Sequence, residues 1–486
     1  MKLLNFLFVL AFLLGSCTEP KKSPPNVLFL FADDQRADAL GIYGNTYIET
    51  PNIDQLAREG SRFTNAYVMG GHHGAICAPS RAMLLSGKSL FHVYDRLKGV
   101  NTMPMDFEKA GYSTFGTGKW HNEKEAFEAN FQQAKNVYLG GMANHYSIAL
   151  RDKGPDGKLG EAVQTGFSTE IFAQSAVDFI QDHVASGNPN PFFCYVAFTV
   201  PHDPYSPAPD FINHYPDGTI PLPGNYMPFH PFQFDQLTVR DENLTGWPRK
   251  PEVIQMILSD YYGLITHLDQ QIGRIISTLK EQGLYENTII VYAADNGLAA
   301  GSHGLLGKQN LYEHSTKVPL ILKGPGIPEN SEFDALSYLY DLYPTLSELA
   351  GLPKPENIDG HSLVPVLNKT QEEIRSSLFT AYRNTVRAVR TKEWKLIRYP
   401  ERDYTQLFNL EKDPLELNNL AEQTQYSSQI SELTKLLEEW QNQTDDTVAW
   451  TANVIKPMEY DPDTLVRKPD QWQPTYTLER YFSKQP

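Results

Sequence analysis

The sequence predicts an α/β protein: a large, mostly parallel sheet sandwiched by helices, then a smaller C-terminal subdomain of antiparallel sheet plus helix. Three observations carry this. Four short apolar runs each end in polar residues able to hold a metal or an anion. Amphipathic helical stretches lie between those runs. After Lys369 the pattern changes to closely spaced strands and one last helix.

The first strand is Asn26–Ala32 (NVLFLFA), ending in Asp33-Asp34. Thr50-Pro51 opens a helix to about Glu59, with proline at its first position. Pro79 likewise predicts a helix from about itself through Leu85, with Cys77 just ahead of it. Ser113–Thr117 is the second strand and ends in Gly118-Lys119-Trp120-His121. Thr169 to about Val184 is helical, with Phe172, Ala176, Phe179 and Ile180 on one face. Phe192–Val200 is the third strand and leads to Pro201-His202. Pro251 to about Glu281 holds one long helix or a broken pair. Thr288–Ala294 (TIIVYAA) is the fourth strand and ends in Asp295-Asn296-Gly297. Strands alternating with helices imply parallel pairing, and ligands bind beyond the carboxyl ends of parallel strands. The four polar clusters should therefore meet on one rim. Beyond residue 369, Arg387–Ile397 and Gln406–Leu410 read as antiparallel strands and Ser428–Trp440 as a helix. The expected organisation is a leader at 1–16, a tether at 17–25, a catalytic domain at 26–369 and a C-terminal subdomain at 370–486.

The composition is globular, with 41% hydrophobic and 21% charged residues among 486. A net charge of −16 excludes nucleic acid as a partner and makes an anionic substrate dependent on a local cluster of cations. Lys2 followed by the apolar Leu3–Leu14 reads as an export signal, too short to span a membrane comfortably. Leu14-Gly15-Ser16-Cys17 resembles a bacterial lipobox, which implies lipidation of Cys17 and anchoring at the periplasmic or outer-membrane surface. Cys194 sits in an apolar strand and reads as a small core residue. That leaves Cys77 without a disulfide partner.

Asp33, Asp34, Asp295 and Asn296 offer only oxygen ligands, which suits Ca2+, with Mg2+ second, and argues against zinc. Each pair alone would pass for a turn; it is their shared placement at strand ends that points to a metal. Arg81, Lys119, His121, His202 and Lys308 are the cations that an anionic substrate would need. A helix N-terminus beside Cys77 adds partial positive charge.

Cys77-Ala-Pro-Ser-Arg81 resembles the motif that marks a cysteine for conversion to formylglycine (3-oxoalanine). Asn26–Asp34, Gly118–His121, Asp295–Gly297, Gly307-Lys308, Leu311–Pro319 and Asp341–Thr345 fall in the order found in type I sulfatases of the alkaline-phosphatase-like superfamily, over nearly the whole mature chain. The resemblance implies a sulfatase acting on a sulfated carbohydrate, an algal glycan such as ulvan or a glycosaminoglycan. It implies that a formylglycine-generating or sulfatase-maturating enzyme oxidises Cys77, which then joins Asp33, Asp34, Asp295 and Asn296 around Ca2+. By family roles, residue 77 is the nucleophile, Asp295 takes its proton, Lys119 holds sulfate oxygens, His202 with Lys308 protonates the leaving oxygen, and His121 completes turnover. His72, His73, His92, Arg96, His145, Tyr205 and His303 are further candidates for touching the sugar. The rivals are a formylglycine-dependent phosphonate or phosphodiester hydrolase, a metal-dependent phosphatase and a non-catalytic glycan-binding lipoprotein.

Overall fold

The computed structural model describes residues 23–465 and 470–482, so the leader and Cys17 lie outside the described residues. The strands of the two larger sheets are β1 (Asn26–Ala32), β2 (Ser61–Tyr67), β3 (Gly70–Gly71), β4 (Ser113–Lys119), β5 (Gln133–Tyr138), β6 (Phe192–Ala197), β7 (Thr288–Ala294), β8 (Lys317–Lys323), β9 (Ser331–Phe333) and β10 (Ser337–Tyr338), followed by β11 (Leu378–Tyr382), β12 (Val386–Arg390), β13 (Trp394–Tyr399) and β14 (Tyr404–Asn409); Ile148–Leu150 and Val163–Thr165 form a separate antiparallel pair. The principal helices are α1 (Pro51–Arg58), α2 (Cys77–Ser86), α3 (Met103–Lys109), α4 (Ser168–Ala185), α5 (Pro251–Glu281), α6 (Leu342–Leu349) and α7 (Ser427–Thr444).

The large sheet has nine strands in the order β9-β2-β8-β7-β1-β6-β4-β5, with β10 also on β2. β1 pairs in parallel with β6 and β7, and β4 in parallel with β6 and β5. β8 runs against its neighbours β7 and β2. β1 is central and wholly buried, which explains its unbroken apolar sequence. Its side chains alternate between two cores: Val27, Phe29 and Phe31 face α2, α3 and α6, while Leu28, Leu30 and Ala32 face α4 and α5.

α5 is a single 31-residue helix, which settles the choice between one helix and two. Ile254, Ile257, Tyr261, Leu264, Leu268, Ile272 and Ile275 bury one stripe along its whole length. The sequence placed two strand ends differently. β4 continues to Lys119, because Gly118 adopts a φ of +90° that keeps the chain against β6. β6 stops at Ala197, after which Phe198 N–H still bonds Phe31 O.

The second sheet runs β14-β13-β12-β11-β3. It is antiparallel as expected, except that β3 joins β11 in parallel. The C-terminal sheet thus includes the two glycines that lead into α2. The chain end also returns to the large domain, where Tyr476 and Arg480 bond Asp260 of α5. No helix among the described residues is long and apolar enough to cross a membrane.

Candidate active site

Parallel pairing brings the ends of β1, β7, β6 and β4 to one rim. At the end of β1, Asp33 N–H bonds Val200 O at 3.1 Å. Asp34 takes a φ of 61°, which turns its carboxylate inward, and its N–H donates to Asp295 Oδ1 at 3.0 Å. At the end of β7, Asn296 Nδ2 donates to Asp34 Oδ1 at 2.8 Å. Tyr261 of α5 braces this turn, donating to Asp34 O at 2.8 Å while accepting from Arg36 N–H at 3.0 Å.

Cys77 is the first residue of α2, not a residue ahead of it. A proline in the first turn needs no intrahelical partner for its missing N–H, so the helix starts two residues before Pro79. One turn later, Arg81 lies within the protein. Its Nε donates to Asp295 Oδ2 at 3.0 Å and its Nη1 to Lys119 O at 2.8 Å. The helix start is thereby tied to β7 and β4 together.

The sulfur of Cys77 is ringed by nitrogen. His121 Nδ1 is 3.0 Å away, Lys119 Nζ 3.5 Å and Lys308 Nζ 3.9 Å. Lys119 also bonds Asp33 Oδ2. His202 Nε2 stands 3.5 Å from Asp34 Oδ2. Every group proposed from sequence for catalysis or metal binding therefore belongs to one buried cluster. Lys119 requires the glycine before it: a Cβ on Gly118 would meet Ala197 O at 1.8 Å.

Three carboxylates in one dry pocket repel one another. Burial and the Asp295 charge hold Asp33 well above the usual carboxylate range, with Lys119 opposing. Burial also raises Asp34, against the pull of Lys308. Asp295 is pushed up by burial but drawn below its ordinary value by Arg81, then Lys119 and Lys308. Its two oxygens accept from Asp34 N–H and from Arg81 Nε. Burial, with help from Lys119, pushes His121 far down, so its imidazole is neutral. Burial lifts the Cys77 thiol to about 11, against the pull of Lys119 and Lys308.

The residues fit a hard cation. Asp33 Oδ1 and Asn296 Oδ1 are buried and lack any partner, an arrangement that costs free energy unless something positive fills the gap. Asp33, Cys77 and Asp295 each place a ligand atom within 4.8 Å of the others.

The weaker sugar-contact candidates divide. His73 Nε2 bonds Asp95 Oδ2 at 2.6 Å, half exposed on the rim beside α2. His72 Nε2 bonds Leu90 O at 3.0 Å, and His92 bonds Asp359 Oδ2 at 2.8 Å. Arg96 is exposed and sits near Glu123. The other three turn inward. His145 spends both ring nitrogens on Thr199 Oγ1 and His202 O, so it supports His202 and does not reach for a sugar. Tyr205 is buried with its ring edge-on to Tyr261. His303 stacks on Tyr312 at 4.1 Å with Nε2 on Leu415 O.

Several supporting residues carry no motif of their own in the sequence. Glu242 accepts from the N–H groups of Leu306 and Gly307, which fixes the loop that presents Lys308. Gln309 bridges Gly74 O and Asp241. Asp203 faces His202 from beneath and is clamped by Arg240. All lie in connecting segments without periodicity, Arg240 and Glu242 in the short 3-10 helix Arg240–Leu244; the one available signal was the density of charge in Arg240-Asp-Glu242.

A family model described as Sulfatase matches residues 25–352, and one described as N-sulphoglucosamine sulphohydrolase, C-terminal, matches residues 301–443. An N-acetylglucosamine-6-O-sulfatase of Bacteroides thetaiotaomicron is 29% identical over 89% of this chain and 89% of its own length. A choline-sulfatase of Rhizobium meliloti is 30% identical over 82% of each chain. A solved structure of a protein in complex with its substrate D-glucosamine-2-N,6-O-disulfate is 25% identical, covering 88% of this chain and 99% of that one at a TM-score of 0.74. A phosphonate monoester hydrolase from Silicibacter pomeroyi, 22% identical over 87% of this chain and 96% of its own, shares the fold at a TM-score of 0.67. With two thirds of its length matched by the family model and the Cys77–Arg81 motif, oxygen cluster and cations gathered in one pocket, the chain belongs to the sulfatase family and is a sulfuric ester hydrolase.

Proposed function

We propose that this sulfatase removes sulfate esters from a sulfated carbohydrate, with Cys77 oxidised to formylglycine by a maturating enzyme and Ca2+ held by Asp33, Asp34, Asp295, Asn296 and residue 77. One observation carries the reading: the Cys77 sulfur lies within 3.9 Å of Lys119, Lys308 and His121, directly above the carboxylates. The sulfur marks the place of the oxygens that the oxidised, hydrated side chain would carry. Formylglycine supplies two geminal hydroxyls, one to attack sulfur and one whose deprotonation expels sulfate. Ca2+ held there would supply fixed positive charge to offset the negative charge of the sulfate group.

The chain's own residues do the rest. Lys119 and Lys308, both kept charged by buried carboxylates, face the non-bridging oxygens of the ester. They stabilise a transition state that is electrostatic in character, much as in phosphoryl transfer. Arg81 orients Asp295 and closes the pocket floor. His121, with its Nδ1 3.0 Å from the Cys77 sulfur, is the side chain placed to receive a proton there. His202, on the opposite side beside Asp34, gives a proton to the leaving sugar oxygen.

The substrates named for two relatives make a sulfated glucosamine the first sugar to test. Cys17 would anchor the exported enzyme to a membrane, placing it where polysaccharide fragments arrive. Co-expression with a maturating enzyme should give the aldehyde mass on the peptide spanning residue 77. The matured enzyme should then desulfate N-acetylglucosamine 6-sulfate or another member of a sulfated oligosaccharide panel. Faster cleavage of phosphonate monoesters than of any sulfate ester would overturn the reading.

A further inference from the structure

The last described stretch of the chain does more than pack. Residues 470–482 cross back to the catalytic rim and are held at three points of Asp260: Tyr476 OH donates to Oδ1 at 2.8 Å, Arg480 Nε to Oδ2 at 2.6 Å, and Tyr481 OH to Oδ2. From this anchor the strap reaches the residue next to His202. Gln473 Nε2 donates to Asp203 Oδ2 at 3.1 Å, and Thr477 Oγ1 donates to Gln473 Oε1 at 3.1 Å, which fixes the amide with its NH2 toward Asp203. Asp470 Oδ2 accepts from Arg240 Nε at 2.6 Å, while Arg240 Nη1 and Nη2 both donate to Asp203.

Asp203 in turn sets His202. His202 Nδ1 bonds Asp203 O at 2.7 Å and lies 3.3 Å from Asp203 Oδ1. With that edge of the ring occupied, Nε2 is directed at the pocket. Asp203 is only 4% exposed and so depends on protein donors to stay in place. Arg240 is 29% exposed in its side chain, and Asp470 holds the Nε edge that its two bonds to Asp203 leave open.

We infer that the C-terminal strap is a positioning element of the active site: Asp470 and Gln473, through Arg240 and Asp203, lock His202 in the orientation that delivers a proton to the leaving oxygen. This rests on His202 acting as the general acid in the reading above. A mere packing role for the strap would slow every substrate alike. A positioning role slows substrates in proportion to how much their leaving group needs protonation.

The test uses the matured full-length enzyme and a series of aryl sulfates from 4-nitrophenyl to unsubstituted phenyl sulfate, with melting curves to check folding. Asp470→Asn and Gln473→Ala are expected to raise the ratio of kcat/KM for 4-nitrophenyl over phenyl sulfate by about tenfold, a fraction of what general acid catalysis contributes. His202→Ala should raise that ratio further. If His202→Ala leaves the ratio unaltered, the general-acid assignment fails and the inference falls with it. If His202→Ala raises the ratio and both strap variants leave it at the wild-type value, the strap inference alone fails.

Discussion

Lys308 Nζ lies 2.6 Å and 2.7 Å from the two oxygens of Asp34 and 3.9 Å from the sulfur of Cys77. One ammonium therefore touches both the carboxylate proposed to hold the metal and the side chain proposed as nucleophile. Its position depends on Glu242, which holds the backbone just before it. Replacing Lys308 with Met should lower kcat/KM by about a hundredfold to a thousandfold, the range for losing one preorganised charge at a reacting centre. Steady-state kinetics on an aryl sulfate measures it, and a loss under threefold would contradict the role.

Cys77→Ala should abolish turnover and leave the fold. The side chain is 1% exposed, but its neighbours are polar groups that remain paired with one another, so little packing is lost. Circular dichroism melting within a few degrees of wild type, together with no detectable sulfate release, is the expected pair of results.

Chelation should soften the protein as well as silence it. Asp33 Oδ1 and Asn296 Oδ1 lack partners, and Asp33 and Asp34 are both held above the ordinary carboxylate range. Ca2+ at about a hundred times its Kd would add about 2.7 kcal/mol to stability. Melting in EGTA and in Ca2+ should differ accordingly. Asp33→Ala should lose the Ca2+-dependent shift, and Zn2+ should not reproduce it.

Asp269 gives a pH dependence away from the catalytic cluster. It projects from α5 and caps the start of α1, accepting from Ile53 N–H at 2.8 Å and Asn52 N–H at 3.2 Å. Burial outweighs these bonds and lifts its carboxyl to about 6. Because the folded protein binds this proton more tightly than the unfolded chain does, the contribution of Asp269 to stability is greatest below about pH 4. It falls as pH rises toward 6, by roughly 2–3 kcal/mol at most. Asp269→Asn keeps an acceptor and removes the proton. Urea unfolding of both proteins from pH 4.5 to 7.5 should show the wild type losing ground to the variant as pH rises.

Gly118→Ala should be among the most damaging single changes. Its φ is +90°, and the added methyl would lie 1.8 Å from Ala197 O, backbone that cannot yield without separating β4 from β6. Loss of soluble protein, or destabilisation above about 3 kcal/mol, is expected. Near-wild-type melting would contradict the geometry.

The amino-acid sequence on its own determined the strands that carry the site. An unbroken apolar run is what a strand buried on both faces requires, so Asn26–Ala32 and Thr288–Ala294 were legible to the residue. It also placed the candidate site residues, because Asp33, Asp34, Asp295 and Asn296 follow those runs, and Cys77–Arg81 is a compact local motif. The start of α2 was missed by two residues, since proline is equally at ease at several positions of a first turn.

Only the tertiary structure decided what holds the chemistry in place. Asp203, Arg240, Glu242, Asp470 and Gln473 act across separations of up to 270 residues, and nothing periodic marks them. It also decided that His145 supports His202 from within and that β3 belongs to the C-terminal sheet. Local pattern reports which face of an element is buried. Which distant loop supplies the partner for a buried charge follows from how the elements close on one another, and that information is carried by no single stretch of chain.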